Sequence, residues 1–265
     1  MAAKFENNNL IVLNPLSGDK VDTLTVSDEK YINDSILNAK IDSSWPSLSV
    51  SKRISCINKY RRKLLKNKKE IASTIKNETG KIDFDITVEI LTSLEHLKQI
   101  ASIAKKALKI QRRNAGLMKT KKAYVKYEPL GVAGVIAPWN YPLATPLTSS
   151  AEALIAGNNV ILKPSEHTPL TSKLLKKIWD NTIEYKNAFQ VVIGGADVGE
   201  SIVKNSDIDI VCFTGSTFVG RIIAKQCAET LKPCILELGG KDPMIVLNDA
   251  NIHRAVESAI FGGMS

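Results

Sequence analysis

Cysteine is scarce in this chain of 265 residues: only Cys56, Cys212, Cys227 and Cys234. No two of them have C-x-x-C spacing, which argues against a disulfide framework or a zinc site. A reducing, cytoplasmic compartment is therefore the expectation. Histidine is scarcer still. His96, His167 and His253 are scattered without ligand spacing, so no metal is expected. No run approaches the ~18 consecutive apolar residues of a membrane-spanning helix. The opening stretch MAAKFENNNLIVLNP lacks the basic flank and long apolar run of a secretory leader. Neither a membrane span nor a leader is expected. Internal repeats, Ser/Gly linkers and low-complexity tracts are missing too, which excludes solenoid and tethered-array readings.

The chain does have an ordinary globular composition, 44% hydrophobic and 24% charged, with a net charge of +9. The charge is uneven. Residues 52–76 carry ten Lys/Arg against the single acid Glu70, and residues 98–126 carry ten more and no acid. Clustered cations of this kind can release counterions from a nucleic acid. They can equally be solvated helix faces, because Ile54, Ile57, Leu64 and Leu65, then Ile90, Leu94, Leu97, Ala101, Ala104 and Leu108, recur at helical spacing. Only Tyr60 and Tyr124 interleave with the cations, too few for a base-stacking platform. No nucleic-acid partner is expected.

The pattern divides near residue 115. Before it lie short strand signals at Ile11–Leu13 and around Val21–Val26, then amphipathic helical patterns over 51–78 and 84–110. Ala123–Tyr127 alternates like a hairpin or edge strand. Beyond it, strand and helix signals alternate: strands at 132–136, 159–163, 188–193, 209–213, 234–238 and 244–247, with helices at 146–157, 169–183, 197–204, 218–230 and 251–261. The strands are short apolar runs (VAGVIA, NVILK, FQVVI, DIVCF, CILEL) of the kind buried on both faces, which predicts a parallel sheet between helices. Ligands then belong at the carboxyl ends of the strands.

Chemistry-capable residues stand at five of those ends. The first strand runs into Pro138-Trp139-Asn140-Tyr141-Pro142, where two prolines fix the backbone around Asn140. A rigid amide there can donate to a developing oxyanion, or simply serve as a turn residue. Lys163-Pro164-Ser165-Glu166 can hold the hydroxyls of a ribose, or start a helix. Gly194-Gly195-Ala196-Asp197-Val198-Gly199 and Thr214-Gly215-Ser216-Thr217-Phe218-Val219-Gly220 place glycine where a strand turns into a helix, suiting either a phosphate or a tight turn. Neither is G-x-G-x-x-G or a nucleotide-triphosphate loop. Glu237 interrupts an apolar strand ahead of Leu238-Gly239-Gly240-Lys241. Burial there would raise its pKa toward that of a general base; a salt bridge to Lys241 is the structural alternative.

PWNYP, KPSE, the Gly195–Gly199 turn, FTGSTFVG and LELGGKDP, in this order, resemble the aldehyde dehydrogenase superfamily. The similarity is dense from Val132 to Pro243 and covers about the first half of a family member. It implies oxidation of an aldehyde to a carboxylic acid with NAD, or NADP as the alternative, through attack of a cysteine thiolate. By position, Asn140 is similar to the family's oxyanion donor and Glu237 to its general base. Lys163 and Glu166 match the contacts to the adenosine ribose; a glutamate there goes with NAD, while Lys163 is a counter-signal that could pair with the 2′-phosphate of NADP. Gly215 and Ser216 match the pyrophosphate site, and Gly195 and Gly199 the turn that lets the cofactor approach. Trp139, Phe213 and Val219 would line the groove, and Leu238 would offer backbone contact near the nicotinamide.

The family's nucleophile lies in an N-x-G-Q-x-C type loop beyond the glutamate, and nothing in this chain matches it. Cys234 is nearest Glu237, but odd spacing along a strand puts the two on opposite faces. The reading is therefore the amino-terminal part of a longer enzyme, with the catalytic domain absent. The alternatives are a non-catalytic NAD-binding remnant or subunit and, less in keeping with the sequence, a nucleic-acid module. The expected fold is α/β, a Rossmann-like doubly wound parallel sheet. An N-terminal helical portion covers 1–115, a bridging hairpin strand 119–128 and the core 130–265. An aldehyde is the expected small-molecule partner, and a homo-oligomer the expected state of the full-length form.

Overall fold

The computed structural model describes residues 3–264. Strands β1 (Ala3–Glu6), β2 (Asn9–Leu13) and β3 (Lys20–Thr25) form a small antiparallel sheet. Four helices follow: α1 (Glu29–Ile41), α2 (Val50–Lys66), α3 (Lys68–Thr79) and α4 (Asp83–Ala107). The expected helix over 51–78 breaks at Asn67, whose side-chain amide donates to the Lys63 carbonyl at 2.7 Å and competes with the helical ladder. Strands β4 (Gln111–Arg113) and β5 (Ala123–Val125) pair as an antiparallel hairpin; β5 lies within the 119–128 segment expected to bridge, whereas β4 precedes it.

The remainder alternates: β6 (Val132–Ile136), α5 (Ala144–Ala156), β7 (Asn159–Lys163), α6 (Pro169–Asp180), β8 (Phe189–Val191), α7 (Ala196–Lys204), β9 (Ile210–Gly215), α8 (Thr217–Glu229), β10 (Cys234–Leu238) and α9 (Ile252–Met264). The five strands β6 to β10 are parallel, in the spatial order β8-β7-β6-β9-β10. The chain winds outward from β6 in one direction, then returns and winds in the other. The sheet is doubly wound, with its switch point between β6 and β9.

Side chains alternate across the sheet as a strand requires. Ala133, Val135, Val160 and Leu162 face a layer built from α2 to α6. Val132, Ile161 and Val211 face the layer of α1, α7 and α8. Gly134 allows the second layer to approach: a Cβ there would stand 2.6 Å from Ile202 Cγ2 of α7. The first layer is tied to the sheet by an edge-on aromatic cluster. Trp179 meets Trp45 at 5.6 Å, Tyr60 at 5.1 Å and Phe189 at 5.6 Å. Such pairs add about 0.5–1.5 kcal/mol each beyond area burial. Trp45 Nε1 donates to Leu154 O and Tyr60 Oη to Leu175 O, so neither polar end is stranded.

The expected strand at 244–247 does not form. β10 ends the sheet, and among the described residues no strand runs beside Met244–Leu247 to satisfy its backbone. These four residues are exposed.

Candidate functional site

The carboxyl ends of β6, β7 and β9 open into a groove of about 610 Å³ at the switch point. Trp139, Lys163, Glu166, Gly199, Phe213, Gly215, Ser216 and Val219 all line it. These are eight of the ten residues singled out for a cofactor. Gly195 and Leu238 are not in the wall. Gly195 is the N-cap of α7 and faces Phe5 of β1, whereas Leu238 packs back onto Gly220 of α8. Gly199 lies within α7, not in the preceding turn, which corrects the sequence expectation.

The groove's floor is a buried lysine. Lys163 leaves the last position of β7, and its Nζ donates to Pro164 O at 3.1 Å and lies 3.6 Å from Glu166 Oε2. Burial pushes its pKa down, against the opposing pull of Glu166 and Asp197. The walls are two helix starts. Ser216 caps α8, its Oγ accepting from Val219 N–H at 3.2 Å. α7 starts at Gly195 with no side-chain cap. Its first-turn amides have no acceptor within the helix, and the end of the helix dipole is positive. The groove therefore offers amide donors and a cation to an anion, and apolar walls to a flat ring.

Several lining residues escaped the sequence reading. Phe218, Ile222 and Gln226 recur every four residues along α8, and Glu200 and Val203 lie on α7. Their helical spacing was visible, but apolar periodicity alone reads as core. Gln226 Nε2 donates to Glu200 Oε1 at 3.2 Å across the groove.

Asn140 is exposed in the turn after β6, immediately beyond Trp139 of the wall. Glu237 pairs in register with Thr214, which does line the groove. The expectation that Glu237 is buried fails. β10 is the edge strand, its burial alternates, and Glu237 is on the open face. No ion pair to Lys241 forms among the described residues. The four cysteines stay outside the groove lining. Burial pushes up the thiols of Cys56 and Cys227, and that of Cys212 to about 11, which makes them poor nucleophiles.

Two buried glutamates of the N-terminal helices also reach this end of the sheet. Glu78 of α3 accepts from Leu170 N–H, from Thr171 N–H at 2.9 Å and from Thr171 Oγ1 at 2.6 Å, capping α6. Burial pushes its carboxyl up to about 7, although these hydrogen bonds pull the other way. Glu89 of α4 accepts from Leu143 N–H at 2.9 Å and Ala144 N–H at 3.1 Å, capping α5. Its other oxygen takes Lys81 Nζ at 2.8 Å. Nothing in the sequence distinguished these carboxylates from surface acids of amphipathic helices.

A doubly wound parallel sheet whose ligand groove opens at the switch point defines the α/β class that holds nucleotides in such a crevice. The chain belongs to the aldehyde dehydrogenase family, whose model matches residues 3–265. It is 33% identical over 250 residues to a betaine aldehyde dehydrogenase of Vibrio vulnificus, covering 94% of this chain and 51% of that protein. It is 36% identical over 253 residues to a benzaldehyde dehydrogenase [NAD(+)] of Pseudomonas putida, covering 95% and 52%. The crystal structure of a Mycobacterium tuberculosis aldehyde dehydrogenase complexed with NAD+ superposes with a TM-score of 0.92 at 30% identity, covering 97% of this chain and 54% of that one. The chain thus spans about half the length of the relatives it matches.

Proposed function

We propose that this chain is the NAD-binding portion of an enzyme that oxidises an aldehyde to a carboxylic acid. One observation carries the reading: eight residues from separate motifs converge on one groove at the switch point. The residues fit a dinucleotide. Gly199 turns its bare Cα toward the groove, and a Cβ there would stand only at ordinary contact distance, 3.7 Å, from Lys163 Cδ. The protein's own packing does not demand a glycine, so the demand comes from the groove. The P. putida relative uses NAD by name, and the M. tuberculosis structure holds NAD+.

In this reading Lys163 and Glu166 hold the ribose, and the amides of Gly215 and Ser216 with the start of α8 hold the pyrophosphate. Glu166 favours NAD over NADP, because its carboxylate beside Lys163 opposes a 2′-phosphate. Trp139, Phe213 and Val219 wall the groove. Gly195 supports the turn from outside, and Leu238 offers its backbone at the end of β10. NAD supplies the hydride acceptor. Asn140 donates its amide to the oxyanion formed when a thiolate adds to the aldehyde. Glu237 takes a proton from the thiol or from the deacylating water.

Calorimetric titration with NAD and NADP tests the cofactor assignment. NAD should bind, NADP should bind more weakly, and Glu166→Ala should narrow the difference. Failure of NAD to bind would overturn the reading. In the assembled enzyme, Asn140→Ala should lower aldehyde turnover by about 10²–10³, the usual cost of losing one oxyanion donor. An unchanged turnover would remove Asn140 from that role.

A further inference from the structure

Among the described residues no side-chain hydrogen bond holds Asn140, and its turn is exposed. The turn is instead gripped from behind. Glu89 has no exposed side-chain surface. Its Oε1 accepts from the amides of both Leu143 and Ala144, the third and fourth residues after Asn140. Its Oε2 takes Lys81 Nζ, and that same ammonium lies 4.0 Å from the ring centre of Tyr141, the residue next to Asn140. A single buried carboxylate thus fixes the backbone on one side of the turn directly and the side chain of Tyr141 through a lysine. Leu143, wholly inside the core, seals the arrangement. An ordinary helix cap needs neither the second carboxylate oxygen nor a cation over a neighbouring ring.

We propose that Glu89 is the positioning residue of the Asn140 turn, acting through Leu143, Ala144 and the Lys81–Tyr141 contact. Its effect on catalysis rests on the reading of Asn140 as the oxyanion donor. Glu89→Gln keeps a carbonyl oxygen for the two amides but presents an NH₂ to Lys81 Nζ, two donors face to face. The turn then loosens while the first turn of α5 stays capped.

The test uses Glu89→Gln, Glu89→Ala, Asn140→Ala and the double variant Glu89→Gln/Asn140→Ala of the assembled enzyme. Trp139 is the reporter: of this chain's three tryptophans Trp45 and Trp179 are buried and Trp139 is exposed, and its signal is isolated as the difference from the same enzyme carrying Trp139→Phe. Acrylamide quenching of its emission should rise in Glu89→Gln. Turnover should fall about tenfold, because a sub-ångström loss of orientation has that scale of cost, while the KM for NAD stays within about twofold. Glu89→Ala should show larger changes in the same direction. The double variant should be no slower than Asn140→Ala alone, the signature of two residues acting as a unit.

Unchanged quenching and turnover in folded Glu89→Gln would overturn the proposal. So would a Glu89→Gln penalty that persists in full on the Asn140→Ala background. If Glu89→Ala does not fold, Glu89→Gln decides alone. If Asn140→Ala leaves turnover intact while Glu89→Gln still raises quenching, the oxyanion reading fails and the grip on the turn stands.

Discussion

At the scale of single residues, Gly199 separates folding from binding. A glycine inside a helix costs about 0.5–1 kcal/mol relative to alanine. The neighbours of Gly199 leave room for a methyl group, with Lys163 Cδ at 3.7 Å and Ile136 Cδ1 at 3.9 Å. Gly199→Ala should therefore raise the melting temperature, measured by calorimetry, and weaken NAD binding in the same sample. Stronger NAD binding would move the cofactor away from this wall. Glu237 makes the opposite case. Its base role comes from the family resemblance, and the burial that would have raised its pKa is absent, since it stands exposed on an edge strand. On the proposed role of Glu237 as base, Glu237→Gln should leave NAD affinity nearly unchanged and slow deacylation. Single-turnover hydride formation set against steady-state turnover checks it: the first should survive and the second should drop.

At the scale of elements, legibility followed the hydrophobic pattern. β6, β7 and β10 match their expected limits residue for residue, because continuous apolar runs bounded by turn residues admit one reading. α1 was missed. Only Ile32, Ser35, Ile36 and Ala39 face inward, and Asn33, Asp34 and Asn38 between them read as loop. β1 and β4 are too short and polar to register. Strand 244–247 was over-read, since apolar content alone says nothing about a partner. Within the site, the residues at strand ends were legible from their motifs. Glu78 and Glu89 were not, because their role lies in which helix starts they reach.

The joint between α3 and α6 carries a pH signature. Burial raises Glu78 from its ordinary range to about 7, so between about pH 4.5 and 7 the folded chain holds a proton that the unfolded chain has released. Stability from this group is then fully present below pH 4.5 and is lost as pH rises through 7. Its full span is on the order of 3 kcal/mol. Melting temperatures of the parent and Glu78→Gln from pH 5 to 8 should diverge, the parent falling more steeply. Parallel curves would show that the carboxylate is already ionised in the folded chain.

At the scale of the whole molecule, one side is unlike the rest. Ile235, Met244, Ile245, Val246, Leu247 and Ile252 are all at least 47% exposed along β10 and the segment after it. Apolar residues exposed in such number along one segment favour self-association. The chain should bind an apolar dye such as ANS without denaturant and should associate as its concentration rises in light scattering. Ile245→Asp with Leu247→Asp should reduce both. Among the described residues no helix is long and apolar enough to cross a membrane.

The two glutamate caps also set a clock. First-turn amides of a helix ordinarily trade their protons with water quickly, because nothing within the helix holds them. Here the amides of Leu143 and Ala144, and of Leu170 and Thr171, are held by carboxylates from α4 and α3. They become exchangeable only when those helices lift from α5 and α6. Deuterium uptake at these four positions thus reads the opening rate of the N-terminal helical layer, although all four lie outside it in sequence.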